Sequence, residues 1–137
     1  MTPQALAKTH SAAFTQSRPW SDAEFADLLQ NRFTHLVGVP ASFALFQVIA
    51  DEAELLTIAT HPDLQRQGLA RIRMAEWHAK AQRLGATRAF LDVAQDNLPA
   101  LSLYHSCGYR PCGLRKSYYV RENNQKIDAL VMECDLT

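Results

Sequence analysis

Residues His61–Arg71 have the composition and spacing of an anion-binding turn. An apolar, β-branched run at 54–60 precedes them and predicts a buried strand. Gly68 lies where the backbone must bend or approach a ligand closely. The first turn of a helix has free N–H groups that bind phosphate, and Arg66 and Arg71 flank that turn. The helix is predicted, with one buried face, from the spacing of Ala70, Met74, Trp77, Ala81 and Leu84.

Two other phosphate motifs do not fit this turn. A P-loop needs Gly-Lys-Ser/Thr at the start of the helix, and a dinucleotide fingerprint needs spaced glycines of which only Gly68 is present. Many strand–helix turns carry a glycine and arginines only for geometry and solubility. From the residues alone, phosphate binding and a purely structural turn both remain open.

A carboxylate and a phenol follow in the next predicted strand and helix. Asp92 lies among apolar residues at 88–94. It is either a hydrogen-bonded carboxylate at a strand end or a general base at the ligand-binding edge of an α/β sheet. Tyr104 lies in the helix that Asp96–Pro99 is predicted to open with a polar cap, and it is either a core aromatic or a proton donor.

The elements that must position these residues alternate between strands and helices. A hairpin and a third strand, followed by a crossover helix and a parallel strand, predict a mixed sheet in one α/β domain over residues 1–137. A capping box at Ser21–Glu24 starts the second helix, and Trp20 either staples that helix or lines a substrate site. The predicted helices span 3–14, 21–30, 70–84 and 98–107, and the predicted strands span 34–39, 42–50, 54–60, 88–94, 109–121 and 126–135.

The composition excludes several classes of function. Fourteen basic residues balance 14 acidic ones, so no net field attracts nucleic acid or an anionic membrane. No run of about 18 apolar residues predicts a membrane-spanning helix, and Met1–Leu6 lacks the regions of a signal peptide. We expect a cytoplasmic protein that binds neither nucleic acid nor a membrane.

The cysteines predict neither a disulfide framework nor a metal site. Cys107, Cys112 and Cys134 are odd in number and have no framework spacing, so we expect free thiols. His105 lies beside two of them, but no fourth ligand follows at a recognised spacing. No metal is therefore expected.

The turn and its neighbours resemble a known family. Gln65–Ala70 matches Gln/Arg-x-x-Gly-x-Gly/Ala, the acetyl-CoA pyrophosphate loop of the GNAT N-acetyltransferases. The run from 55 to 131 resembles these enzymes, and more narrowly the ribosomal-protein alanine N-acetyltransferases. The other matching pieces are Ile58–Pro62, Leu91–Val93, Asn97, Leu103–Tyr104, Cys107–Tyr109, Pro19–Ser21, Tyr118–Tyr119 and Asp128–Met132.

The resemblance implies a GNAT fold, with helices on both faces of a mixed sheet, and acetyl-CoA as the acetyl donor. It implies that backbone groups of Ile58, Ala59 and Thr60 hold the pantetheine arm and orient the thioester. It also implies that Asn97 contacts the cofactor from the other side. The loop implied to wrap the pyrophosphate consists of Arg66, Gln67, Gly68, Leu69, Ala70 and Arg71.

The resemblance further implies the catalytic and acceptor residues. Asp92 occupies the position of the catalytic base, and Tyr104 is implied to protonate the leaving CoA thiolate. Trp20, Tyr118 and Tyr119 are implied to line the groove for an acceptor peptide. The chain departs from the family pattern in two respects. Asp92 stands where glutamate is usual, and the family's first strand is missing or very short before the first helix.

We therefore expect an acetyl-CoA-dependent N-acetyltransferase that acts on the α-amine of a protein or peptide N-terminus, including a ribosomal one, as a monomer or weak dimer. A second hypothesis is a GNAT enzyme for a small amine, which an acidic acceptor groove favours; an aromatic groove favours a peptide. A third is an acyl-CoA-binding module with little turnover, because Asp92 is shorter than the usual base.

Overall fold

The computed structural model describes residues 1–14, 18–121 and 123–137. A short 3₁₀ turn at Pro62–Leu64 follows the third strand. The helices are α1 (Pro3–Ala13), α2 (Asp22–Gln30), α3 (Leu69–Arg83) and α4 (Leu98–Ser106), and the strands are β1 (Thr34–Val39), β2 (Ser42–Ile49), β3 (Glu52–Thr60), β4 (Arg88–Ala94), β5 (Arg110–Val120) and β6 (Lys126–Asp135).

The strands form one mixed sheet in the order β1-β2-β3-β4-β6-β5. β3 and β4 are parallel because the α3 crossover joins them, and the other neighbours are antiparallel. The predicted mixed α/β sheet is confirmed. β1 pairs with β2 alone among the described strands, so it forms one edge of the sheet.

Helices cover both faces of the sheet. On one face, Met74 and Trp77 of α3 and Tyr104 of α4 belong to one buried apolar cluster. On the other face, Leu6 of α1 and Phe25 of α2 pack with β2 and β3 in a second cluster. No helix in the described ranges is long and apolar enough to cross a membrane.

A β-bulge changes the direction of side chains in the middle of β3. The pairing of β2 with β3 shifts between Leu45 and Phe46, which leaves Leu56 as an extra residue. Leu55 therefore lies in the core under α3, whereas Leu56 packs against the core on the opposite face. Beyond the bulge, Ile58 again faces the α3 side.

The start of α2 has the predicted capping box and hydrophobic staple. The Ser21 hydroxyl accepts from the Glu24 N–H at 3.2 Å, and the Glu24 carboxylate accepts from the Ser21 N–H at 3.1 Å. Trp20 and Phe25, the residues before the cap and in the first turn, have ring centroids 5.5 Å apart.

His10 connects this entry to the sheet. Its Nδ1 accepts from the Trp20 N–H at 3.1 Å, so its Nε2 carries the hydrogen and donates to the Thr57 hydroxyl at 3.1 Å. The ring is 1% exposed and stacks on Phe14 at 3.9 Å. Burial lowers the pKa of His10 to about 4.

The buried face of α3 differs from the prediction at its end. Leu84 is 44% exposed because it is the C-cap residue of the helix, where the chain leaves the sheet. Arg73 is buried instead, and its Nε donates to the Ser42 carbonyl at 2.9 Å. The prediction is confirmed for Met74, Trp77 and Ala81.

Candidate active site

β3 and β4 separate partway along their length, forming a fork in the sheet. Their parallel pairing joins 52–54 to 88–90, and within the described chain no later residue of β3 pairs with β4. Residues 55–60 therefore keep main-chain groups on the β4 side available to a ligand. The predicted pantetheine residues, Ile58, Ala59 and Thr60, lie on this open side of the fork.

The turn after β3 has the conformation of an anion site. Gly68 has φ +78° and precedes α3, and no described side chain caps the first turn of that helix. Arg66 also has a positive φ, +66°. A Cβ on Gly68 would meet no described heavy atom within 4 Å, so the space before the helix is open. The free N–H groups and the helix dipole of α3 fit a pyrophosphate.

This turn is fastened to the end of β3. Gln65 Nε2 donates to the Thr60 carbonyl at 3.0 Å, and the Thr60 hydroxyl lies 3.0 Å from that of Ser42. The predicted pantetheine and pyrophosphate segments therefore adjoin each other. The remaining predicted loop residues are exposed Gln67 and Arg71 and half-buried Leu69 and Ala70.

Asn97 caps the helix on the other side of the fork. It is exposed, and its Oδ1 accepts from the Ala100 N–H at 3.3 Å at the start of α4. It follows the carboxyl end of β4, so α3 and α4 begin on opposite sides of the fork. Its contact with the cofactor stays a prediction.

Asp92 lies inside the fork, two residues beyond the last β4 residue that pairs with β3. Its side chain is 17% exposed. Its Oδ1 accepts from Arg115 Nε at 3.3 Å, an ion pair that joins β4 to β5 across β6. Arg115 was not among the predicted site residues, because it lies two strands away in a hairpin whose register the sequence leaves open.

Tyr104 of α4 is buried and Tyr119 of β5 is half-buried. Tyr104 is 7% exposed. Burial, and secondarily Tyr119, raises its pKa, so the phenol keeps its proton and can donate it. Burial, and secondarily Asp92, raises the pKa of Tyr119 to about 12. The charge of Asp92 thus acts on Tyr119, and Tyr119 in turn acts on Tyr104.

The predicted acceptor residues divide into two places. Tyr118 is 50% exposed, with the Arg115 guanidinium 5.6 Å from its ring centroid, and Tyr119 is half-buried beside it. Trp20 packs instead on the α1–α2 cluster, where its ring lies 5.1 Å from that of His10. The staple role of Trp20 is therefore present, and its contact with an acceptor stays a prediction.

A cleft of about 390 Å³ opens beside Asp92 on the sheet face that α1 and α2 cover farther along. Glu54 lines it from β3, and its presence in the site was not predicted. Strand alternation predicts only that Phe90 and Asp92 share a face of β4; the pairing that brings Glu54 beside Phe90 joins distant segments and is seen only in the structure. No cluster of His, Cys, Asp or Glu suited to a metal ion occurs among the described residues.

Comparisons with known proteins agree with this geometry. The family model for acetyltransferases of the GNAT family matches residues 4–109. The [ribosomal protein bS18]-alanine N-acetyltransferase of Escherichia coli K12 is 35% identical over 118 residues, which cover 83% of this chain and 79% of that protein. The crystal structure of the Escherichia coli ribosomal-protein-S18-alanine N-acetyltransferase matches with a TM-score of 0.88 and 30% identity over 98% of this chain and 88% of that one.

A further structure shows the same fold at lower identity. A Salmonella typhimurium protein solved with its cofactor acetyl-CoA has a TM-score of 0.77 and 19% identity over 98% of this chain and 88% of that one. Fold and relatives together define an N-acetyltransferase. The chain belongs to the GNAT acetyltransferase family, and acetyl-CoA is its acetyl donor.

Proposed function

We propose that this enzyme acetylates the N-terminal α-amine of a protein, and that a ribosomal protein is its acceptor. The observation that carries the proposal is that the cofactor fork adjoins a cleft lined by Glu54, Asp92 and Arg115, and that Arg115 comes from β5, the strand that also carries Tyr118 and Tyr119. The relative that is 35% identical acts on the alanine of ribosomal protein bS18. Its resemblance extends over most of this chain, including the segment that contains the cleft residues.

The cofactor side of the site uses main-chain groups. In this proposal, the N–H groups at the start of α3 bind the pyrophosphate, and the open edge of 58–60 holds the pantetheine arm. A backbone N–H in the same segment is the donor for the oxyanion that develops on the thioester carbonyl. Acetyl-CoA supplies the acetyl group as a thioester.

The acceptor side has to remove a proton. An α-amine has a pKa of about 7.7–8.0 and is mostly protonated near neutrality, so it must lose a proton before it attacks. A carboxylate of the cleft receives that proton. Asp92 is one of these carboxylates and occupies the position of the family's base. Tyr104 is buried, which raises its pKa and keeps the phenol protonated, and it donates that proton to the departing thiolate.

A small amine is the second candidate acceptor, and one observation favours it. The cleft is lined by three acidic residues, Glu52, Glu54 and Asp92, and by one basic residue, Arg115. This acidic lining suits a polyamine, whereas Tyr118 and Tyr119 suit a peptide backbone.

Acetyl-CoA turnover, followed as free thiol, distinguishes the two candidates. The acceptors are short peptides with free N-terminal alanine or serine, the same peptides blocked at the N-terminus, and polyamines. We expect thiol release with free peptides alone. Turnover with polyamines and not with peptides would replace the peptide acceptor with a small amine.

A further inference from the structure

Glu54 and Asp92 lie on the same face of the sheet, at the point where β3 and β4 separate. Glu54 pairs with Phe90 in the parallel ladder, and Asp92 is the next β4 residue on the same face. The two carboxylates line one cleft together with Gln47, which pairs with Glu54 from β2. This cleft opens at the point where β3 leaves β4, and the open edge of β3 that is expected to hold the thioester begins with the next residue of the strand.

The two carboxylates differ in their surroundings. Asp92 has one oxygen engaged by Arg115 at 3.3 Å and a side chain only 17% exposed. Glu54 is exposed at the cleft surface and has one more methylene, so it extends farther toward an incoming acceptor. Partial desolvation, and secondarily the charge of Asp92, raises the pKa of Glu54, while Arg115 acts in the opposite direction.

We infer that Glu54 takes the proton from the acceptor ammonium group, while Asp92, held by Arg115, fixes that group in the cleft. Glu54 thereby compensates for the shorter side chain at position 92. A carboxylate next to a second negative charge binds a proton more readily than an isolated one, which suits it to deprotonate an amine near neutral pH. This inference rests on the proposed function and adds a residue to it.

The proton and bond changes balance. The ammonium nitrogen loses one proton to Glu54, directly or through a water, and Glu54 later releases it to solvent. The nitrogen lone pair bonds to the acetyl carbon, and the carbon–sulfur bond breaks. Tyr104 gives its proton to the CoA sulfur. The nitrogen then loses its second proton to solvent, and solvent returns one proton to Tyr104. An ammonium ion and a thioester thus yield an amide, a thiol and one free proton.

The pH profile of kcat/KM for a peptide acceptor tests this assignment. We expect Glu54→Gln to lower kcat/KM at least about tenfold and to remove its low-pH limb. Asp92→Asn is expected to raise the KM for the peptide and to keep the low-pH limb. The limb should move to lower pH, because the pKa of Glu54 falls when the negative charge of Asp92 is removed. Glu54→Asp should restore the limb at a reduced rate. Asp27→Asn, which removes an exposed carboxylate of α2 outside the cleft, should match the wild type.

Other results would overturn the inference. A Glu54→Gln enzyme with wild-type rate and limb, or an Asp92→Asn enzyme that alone loses the limb, would remove Glu54 as the proton acceptor. Carbon-13 NMR of the Glu54 carboxyl gives a readout without turnover: its titration midpoint should fall in Asp92→Asn, and an unchanged midpoint contradicts the coupling. No thiol release by the wild type with any free amine, with that coupling intact, would instead overturn the proposed function and the catalytic role with it.

Discussion

At the scale of single residues, Tyr104 is the proposed proton donor to the departing thiolate. We predict that Tyr104→Phe leaves the acetyl-CoA affinity nearly unchanged and lowers kcat at least about tenfold, because the departing thiolate loses its proton donor. Calorimetry of CoA binding and thiol-release kinetics measure the two effects separately.

Tyr109 provides a matched control for that substitution. It is also buried, its ring lies 5.9 Å from that of Tyr104, and its hydroxyl lies 2.7 Å from His78 Nε2. Tyr109→Phe should lower the melting temperature and leave kcat close to the wild-type value. Equal turnover in wild type and Tyr104→Phe would show that another group protonates the thiolate.

Valine substitutions at Gly68 and Gly85 distinguish an effect on cofactor binding from an effect of backbone strain. Both have positive φ and open space where a Cβ would lie, and they flank the two ends of α3. Valine is strained at either position, but only at 68 does its side chain enter the space before the helix N-terminus. We predict that Gly68→Val raises the Kd for acetyl-CoA at least about tenfold.

Gly85→Val should lose about as much stability as Gly68→Val, and its CoA affinity should stay within about twofold of the wild type. Isothermal titration of both variants, with thermal melts, makes the comparison. Equal affinity in Gly68→Val and the wild type would show that the pyrophosphate lies elsewhere.

At the scale of elements, the β1–β2 hairpin depends on one close approach. A Cβ on Gly38 would lie 2.3 Å from the Ser42 carbonyl oxygen and 2.8 Å from Arg73 Nε, and the residue has φ +103°. We predict that Gly38→Ala lowers the free energy of unfolding by about 2 kcal/mol or more, measured by urea denaturation.

Gly113 is the control for that prediction. A Cβ there would meet Val131 at 3.6 Å, an ordinary contact. Gly113→Ala should therefore change the free energy of unfolding by less than about 1 kcal/mol. Equal stability of Gly38→Ala and the wild type would mean that the hairpin relaxes freely away from α3.

The bounds of helices and strands are easier to predict from the sequence than the pairing between strands. Alternation and caps such as Ser21 with Glu24 are local signals, and they predicted each helix and strand close to its observed bounds. The point where β3 leaves β4, the bulge at Leu56 and the position of β6 between β4 and β5 depend on pairing between distant segments. Asp92 and Tyr104 are therefore candidates that the sequence can supply, whereas Glu54 and Arg115, which line the cleft beside Asp92 from other strands, are not.

At the scale of the whole molecule, buried histidines make stability depend on pH. Burial lowers the pKa values of His10 and His78 to about 4 from an unfolded value of 6.5. The stability they contribute is fully present above pH 6.5 and is lost as pH falls from there through about 4, because the unfolded chain binds protons more readily. The upper bound for His10 is about 3 kcal/mol.

Urea unfolding at several pH values tests this dependence. We expect His10→Gln to have a shallower loss of stability between pH 6.5 and 4 than the wild type. His105→Gln, which changes an exposed histidine, should retain the wild-type slope. Parallel curves for His10→Gln and the wild type would contradict the burial argument.

The cofactor half of the candidate site is packed against the cores, whereas the half formed by β5 is mostly exposed. The fork and the turn before α3 belong to elements whose side chains fill both cores. β5, which carries Arg115, Tyr118 and Tyr119, is an edge strand exposed along nearly its whole length and hydrogen-bonded to β6 alone among the described strands. Segments with few buried contacts open locally at a small fraction of the global free energy. The strand proposed to contact the acceptor can therefore open locally while the cofactor half stays folded, and its exposed side chains can be substituted without rebuilding the donor site.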